Sequence, residues 1–200
     1  MRSINASIVN FVLGSVFIIA IPQMASAKPV YFSLNTIFDF GGKSVYDGNY
    51  KGKSTQLTAG EGVALGGGLL YLPDDSDFGV EVGMDFKFNS AFDDTGKGTV
   101  IMYRTPITLT GAYVIDAHRF NLGVTYLDKL WYECDVQTTC DSLPKIKPTT
   151  GLLAQYVYSF PMGKIGFSGI IGLRANVVDY NLTGGGKSGN SIGVIIGWLM

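Results

Sequence analysis

The sequence predicts an all-β chain, an eight-stranded antiparallel up-and-down transmembrane β-barrel preceded by a cleaved signal peptide. Three observations point there. The N-terminus carries an export signal, the remainder alternates apolar and polar residues with a period of two, and the connections between alternating runs are short and long in turn.

The export signal has three parts. Arg2 supplies the positive charge, and Ile8 to Ile21 forms an apolar run interrupted by Asn10, Gly14 and Ser15. Pro22 ends the run, and Ala25-Ser26-Ala27 places small residues where a signal peptidase reads, so cleavage is expected after Ala27. The run is shorter than the roughly 20 apolar residues of a spanning helix. The expected organisation is a signal peptide over 1–27 and one barrel domain over 28–200.

Composition fits a lipid-facing wall. With Arg2 removed, 14 basic residues face 16 acidic ones, which excludes a polybasic nucleic-acid binder. Charged residues are 16% of the chain, below the roughly 25% of soluble domains. Glycine is 27 of 200 residues, well above the usual level of about 7%. A water-facing surface needs more charge than this.

The alternation is cleanest over Phe78 to Asn89. Phe78, Val80, Val82, Met84, Phe86 and Phe88 share one face, while Gly79, Glu81, Gly83, Asp85, Lys87 and Asn89 share the other. Strand side chains point to opposite faces in turn, so this is a two-faced strand. Over Val30 to Phe40, Phe32, Leu34 and Phe38 oppose Ser33, Asn35 and Asp39. Phe120, Leu122, Val124 and Tyr126 oppose Arg119, Asn121, Gly123 and Thr125. Ile165, Phe167, Ile171 and Leu173 oppose Lys164, Ser168, Gly172 and Arg174. Ile192, Val194, Ile196 and Trp198 oppose Ser191, Gly193 and Gly197. Noisier strands are expected near Gly60 to Leu72, Thr99 to Ile115 and Thr149 to Phe160. Pro106 cannot donate to a ladder, so a bulge or local break is expected there.

Connections alternate in length. Pro73 to Asp77, Asp116 to His118 and Pro161 to Gly163 read as tight turns. Gly41 to Ala59, Ser90 to Gly98, Asp128 to Pro148 and Asn181 to Gly189 read as longer loops. In an up-and-down sheet this puts all turns at one end and all loops at the other, as in outer-membrane barrels.

Period alone does not say which face is outside, because a soluble lipocalin-like barrel has the same period with its apolar side inward. The polar face favours lipid outside. It is rich in Gly66, Gly68, Gly79, Gly83, Gly123, Gly172, Gly193 and Gly197, which suit the narrow interior of eight strands. Aromatic residues fall near both strand ends, with Tyr31, Phe78, Phe120, Tyr158 and Trp198 toward the turns and Phe40, Phe88 and Tyr126 toward the loops. Such girdles flank an apolar band in membrane barrels.

The signal, eight two-faced strands, alternating connections and Trp198 near the C-terminus together resemble the small outer-membrane barrels similar to OmpX and the membrane domain of OmpA. The resemblance covers the mature chain and is architectural. It implies the outer membrane of a Gram-negative bacterium, contact with its lipid and lipopolysaccharide, and insertion by the barrel-assembly machinery. Family members usually end in Phe or Trp, whereas Trp198 is third from the end here.

With lipid outside, the strand charges point into the lumen. Asp39, Asp85, Lys87, Arg104 and Arg174 are expected in the loop-proximal half, with Glu81, Arg119 and Lys164 lower. Buried charges need partners, so an internal cluster joining Asp85 to Arg104 or Arg174 is expected, with Asp39 and Lys87 nearby. Such a cluster plugs the lumen. A narrow polar conduit lined by the same residues is the alternative.

Enzyme chemistry finds little support. Lipid A deacylase barrels need a serine with a nearby histidine at the outer rim, and the single histidine, His118, falls in a turn at the opposite end. Gly186-Lys187-Ser188 lacks the phosphate-loop glycine, since Asn181 stands at that position, and a strand follows it. No cofactor or metal site is expected; Asp74-Asp75 and Asp93-Asp94 lack calcium-loop spacing. Cys134 and Cys140 are expected to pair in an oxidising compartment. They staple the longest loop, whose Trp131 and Tyr132 are candidates for recognising an external surface ligand.

Two function classes follow. One is a non-enzymatic surface barrel with a filled lumen and outward loops. The other is a narrow channel for small or apolar solutes, as in barrels similar to OmpW. A lipid A-modifying enzyme is a distant third.

Overall fold

The computed structural model describes residues 30–50, 53–92, 98–128, 130–135, 140, 143, 145, 147–162, 167–182 and 185–200. The expected signal peptide, Lys164 and the Asp93-Asp94 pair lie outside the described residues.

The strands are β1 (Val30–Phe40), β2 (Ser44–Tyr50), β3 (Lys53–Thr58), β4 (Gly62–Tyr71), β5 (Phe78–Phe92), β6 (Thr99–Arg104) and β7 (Ile107–Ile115). They continue with β8 (His118–Leu127), β9 (Leu130–Cys134), β10 (Thr149–Pro161), β11 (Ser168–Val177), β12 (Asp179–Leu182), β13 (Gly185–Ser188) and β14 (Ser191–Leu199). Eight staves form the wall, with β6 and β7 making a single stave. Neighbours run β4, β1, β14, β11, β10, β8, β7, β5, and β4 pairs with β5 to close the ring. Every pairing is antiparallel, and β1 closes on β14 with Ser33 opposite Leu199. Closure leaves the wall without an unpaired edge.

Pro106 acts as a local break and not as a bulge. Lys87 faces Arg104 before it and Met84 faces Ile107 after it, so the register carries through. The Pro106 carbonyl still accepts from Asp85 N at 3.0 Å. The β7–β8 turn needs two residues, and Asp116 takes φ 52° there, a conformation that Asp tolerates.

Three of the expected loops contain further strands. β2 and β3 pair as one hairpin, and β12 and β13 as another. β9 extends the β8 stave and pairs with β6. These pieces pack on one another. Leu57, Ala91, Val100, Met102 and Leu143 form one buried cluster at the loop ends of β5 and β6, and Ala59, Leu127, Val178 and Tyr180 form another over the mouth. The two hairpins are tied where Lys43 N donates to Ser188 O at 2.8 Å. Gly60 packs against the carbonyls of Gly41, Gly189 and Asn190, and a Cβ there would fall among those oxygens.

The wall is inverted relative to a water-soluble barrel. Leu122 is 70% exposed, Phe78 67% and Ile192 66%, while Arg104 and Asp39 are each 1% exposed. A continuous apolar outside around a charged inside fits a bilayer and not water. The inside also holds an apolar patch of Ile37, Ala64, Val157, Ile170 and Ile195. Tyr31 shares the inward alternation of Ser33 and Asp39 instead of joining the outer girdle, although its position at the strand end leaves it exposed.

Candidate functional site

The buried charges form two layers. The upper one, toward the loops, centres on Arg174 of β11. Its Nη1 donates to Asp85 Oδ2 at 2.6 Å, and its Nη2 donates to Asp39 Oδ2 at 2.8 Å. Lys87 Nζ reaches the same Asp39 oxygen at 2.8 Å and also donates to Gly60 O. One guanidinium thus joins carboxylates from β1 and β5. Charge-assisted bonds of this length are the strong kind.

Glycine makes that reach possible. Gly193 of β14 lies between Asp39 and Arg174, opposite each of them on the neighbouring strands. With no side chain there, acid and base meet over its backbone. Asp85 lies opposite Gly66 in the same way. A Cβ at Gly193 would collide with Asp39 Oδ1, and one at Gly66 with Asp85 Oδ1.

Arg104 does not pair with Asp85. It sits opposite Lys87 on β6, higher than Asp85, where the bend before β4 comes within its reach. Its Nη1 donates to Ala59 O and to Tyr180 Oη, and its Nη2 donates to Glu61 O. Among the described residues no carboxylate lies within 4.0 Å of it. Arg104 therefore ties the bend at 59–61 and the β12–β13 hairpin across the mouth.

The lower layer centres on Glu81. Its Oε2 accepts from Asn121 Nδ2 and lies 3.6 Å from Arg119 Nη1. Ser33 Oγ donates to its Oε1 at 3.5 Å, and Asn121 also donates to Thr110 Oγ1 at 3.1 Å. Two small cavities flank the Asp85–Arg174 pair: about 30 Å³ on the loop side and about 20 Å³ on the turn side. A single water needs roughly 10–15 Å³ measured in this way. These spaces suit one or two small species, not a solute stream.

The loop end places the other candidates. Cys134 and Cys140 form a disulfide at a Cα–Cα distance of 5.7 Å. Trp131 projects outward opposite Tyr103 on β6, and Tyr103 donates to Glu133 at 2.9 Å. Tyr132 instead turns toward the Leu57–Met102 cluster, where burial pushes its hydroxyl up to about 12 despite the nearby Arg104 charge. It is thus part of the packing of the extension, and Trp131 is the exposed aromatic of the two. His118 is exposed at the turn end, its Nδ1 2.9 Å from Tyr156 Oη and its ring against Tyr158. Among the described residues its hydrogen-bond partner is Tyr156 and not a serine.

Tyr180, Asn121, Ser33 and the bend at 59–61 are parts of these layers that sequence reasoning did not identify. Alternation places Asn121 and Ser33 inward but gives them no role. Nothing in the sequence pattern marks a backbone carbonyl as an arginine partner.

No protein-family model matches the chain, and no curated protein matches it. Solved structures do. Neisserial surface protein A (NspA) is similar at 13% identity with a TM-score of 0.44, over 86% of this chain and 98% of that one. Ail, the attachment invasion locus protein of Yersinia pestis, solved in complex with the heparin analogue sucrose octasulfate, is similar at 12% identity with a TM-score of 0.40, over 86% and 99%. At this distance no residue role passes between the chains.

Proposed function

We propose that this chain is a non-enzymatic surface barrel of a Gram-negative outer membrane, with a filled lumen and a folded platform presented outward. The supporting observation is the upper charge layer together with its cap. Asp39, Asp85, Lys87 and Arg174 occupy the bore, and Arg104 fastens the bend at 59–61 over it. The apolar wall supports the membrane location, and the asymmetry of turns and extension supports an orientation with the loops outward. On this reading residues 1–27 direct export and are removed, and 28–200 are the barrel. The wall contacts lipid and lipopolysaccharide, and the barrel-assembly machinery inserts it. Trp131, beside the Cys134–Cys140 staple, faces an external surface ligand.

The test is electrical. Refolded barrel in planar bilayers should give no stable large conductance, and liposomes carrying it should not swell with small sugars. Steady conductance of wild-type protein would favour the conduit instead. Heat-dependent mobility on gels and recovery in the outer-membrane fraction test the location. Recovery in the soluble periplasm would remove the membrane reading.

A further inference from the structure

We propose that the upper lumen layer is a binding site for a small monovalent anion, chloride being the simplest occupant. The layer holds three cations, Lys87, Arg104 and Arg174, against two carboxylates, Asp39 and Asp85. Both acids are committed to Arg174 and Lys87, so Arg104 is the unmatched charge. Its guanidinium is neutralised by no acid among the described residues, only solvated by two carbonyls and a phenol. A buried charge without a counter-charge is costly.

The register sharpens the imbalance. Lys87 and Arg104 stand directly opposite one another on β5 and β6, both inward. Like charges so placed repel, and an anion between them reverses the sign of that interaction.

The space is also present. The loop-side cavity of about 30 Å³ is lined by Lys87, Arg104 and Arg174 together with Asp85, and Thr125, Thr149 and Ser191 lie around it. Among the described residues, Nε of Arg104 and Nε of Arg174 are buried donors without a hydrogen-bond partner. The free carboxylate oxygens lean elsewhere, Asp85 Oδ1 over Gly66 and Asp39 Oδ1 over Gly193. The cavity thus has three cationic side chains in its lining against the single carboxylate of Asp85, with Pro106, Leu127 and Val178 also in the wall. By the measure in which one water needs roughly 10–15 Å³, it has room for a chloride-sized ion.

The proposal rests on the filled-lumen reading of the same layer. The experiment is urea unfolding of the refolded full barrel in detergent micelles, with sodium chloride compared to sodium gluconate at equal ionic strength. Above the dissociation constant, each tenfold rise in chloride should multiply the folded-to-unfolded ratio about tenfold, and gluconate should not. Lys87→Gln leaves two cations against two acids and should abolish the chloride response, while Lys187→Gln, on the exposed β13, should retain it. Crystals grown in bromide should show an anomalous peak between Lys87, Arg104 and Arg174, a measurement that does not depend on any variant folding. Coincident chloride and gluconate curves for the wild type, or bromide crystals without that peak, would overturn the site. So would a neutral Lys87 amine seen by nitrogen NMR in chloride buffer. Large bilayer conductance would overturn the plug instead, so the two readings fail separately.

Discussion

The two charged layers of the lumen are built on different principles. The upper one is held by ions: Arg174 spans from β11 to carboxylates on β1 and β5, with both bonds at 2.8 Å or less. The lower one is held mostly by neutral groups, Asn121, Ser33 and Thr110, around a single acid whose cation stands 3.6 Å away. Both are buried and both join strands that are not neighbours, yet only the upper layer spans the bore, from β11 to β5 on the opposite side of the ring. The comparison teaches that burial alone does not make a plug. Cross-lumen bonding does.

Removing the upper linchpin should therefore cost most. Arg174→Met leaves Asp39 and Asp85 facing each other without their shared cation, and a loss of about 3–5 kcal/mol is expected. Urea unfolding in micelles measures it. The triple change Asp39→Asn, Asp85→Asn, Arg174→Met should recover much of that loss, because no unpaired charge remains. Glu81→Gln in the lower layer keeps an acceptor for Asn121 and should cost less, about 1–3 kcal/mol, by the same measurement. An equal loss at both positions would break the distinction between the layers.

Crowding the glycine floor of the upper layer tests it without touching a charge. Gly193→Ala pushes a methyl against Asp39 Oδ1 and should destabilise by about 1–3 kcal/mol, as overpacking does. Gly111→Ala on the outer wall meets nothing closer than 3.9 Å and should change the urea midpoint little. The smallest effect on the staves is expected from Cys134→Ser with Cys140→Ser. The ring is worth roughly 2 kcal/mol in the chain-entropy model, spent locally. Limited proteolysis should cut the extension faster, while the heat-dependent gel shift of the barrel persists.

The staves were legible in the sequence because each buries one face and exposes the other. β5 shows this best, its phenylalanines and valines facing lipid while Glu81, Asp85 and Lys87 face inward. Even the phase across Pro106 could be followed, since Arg104 and Thr108 keep the inward parity. The extension was not legible. Ser44 to Tyr50 and Asp179 to Leu182 mix Gly, Asn and Tyr without a clean period, and their pairing is local to hairpins that pack on other loops. The layer residues were readable as inward charges, but not their partners. Choosing Arg174 over Arg104 for Asp85 depends on register and on the height of each stave. Arg104 takes backbone carbonyls from the bend at 59–61, which no residue type announces. Tyr132 was misplaced for a related reason: an aromatic in a loop reads as exposed until another loop is seen to cover it.

The closing of β1 on β14 has a consequence for the order of assembly. Asp39 belongs to the first stave, Asp85 to the third and Arg174 to the seventh, so no single hairpin contains an acid and its base. While the sheet is still open, each of these groups must remain hydrated on its concave side. The bridge from Arg174 to Asp39 can be completed only as the first stave meets the eighth and water leaves the bore. Sealing the cylinder and dehydrating its charges are then one event, and a nascent sheet stalled before that point would present a wet, sticky groove instead of a wall.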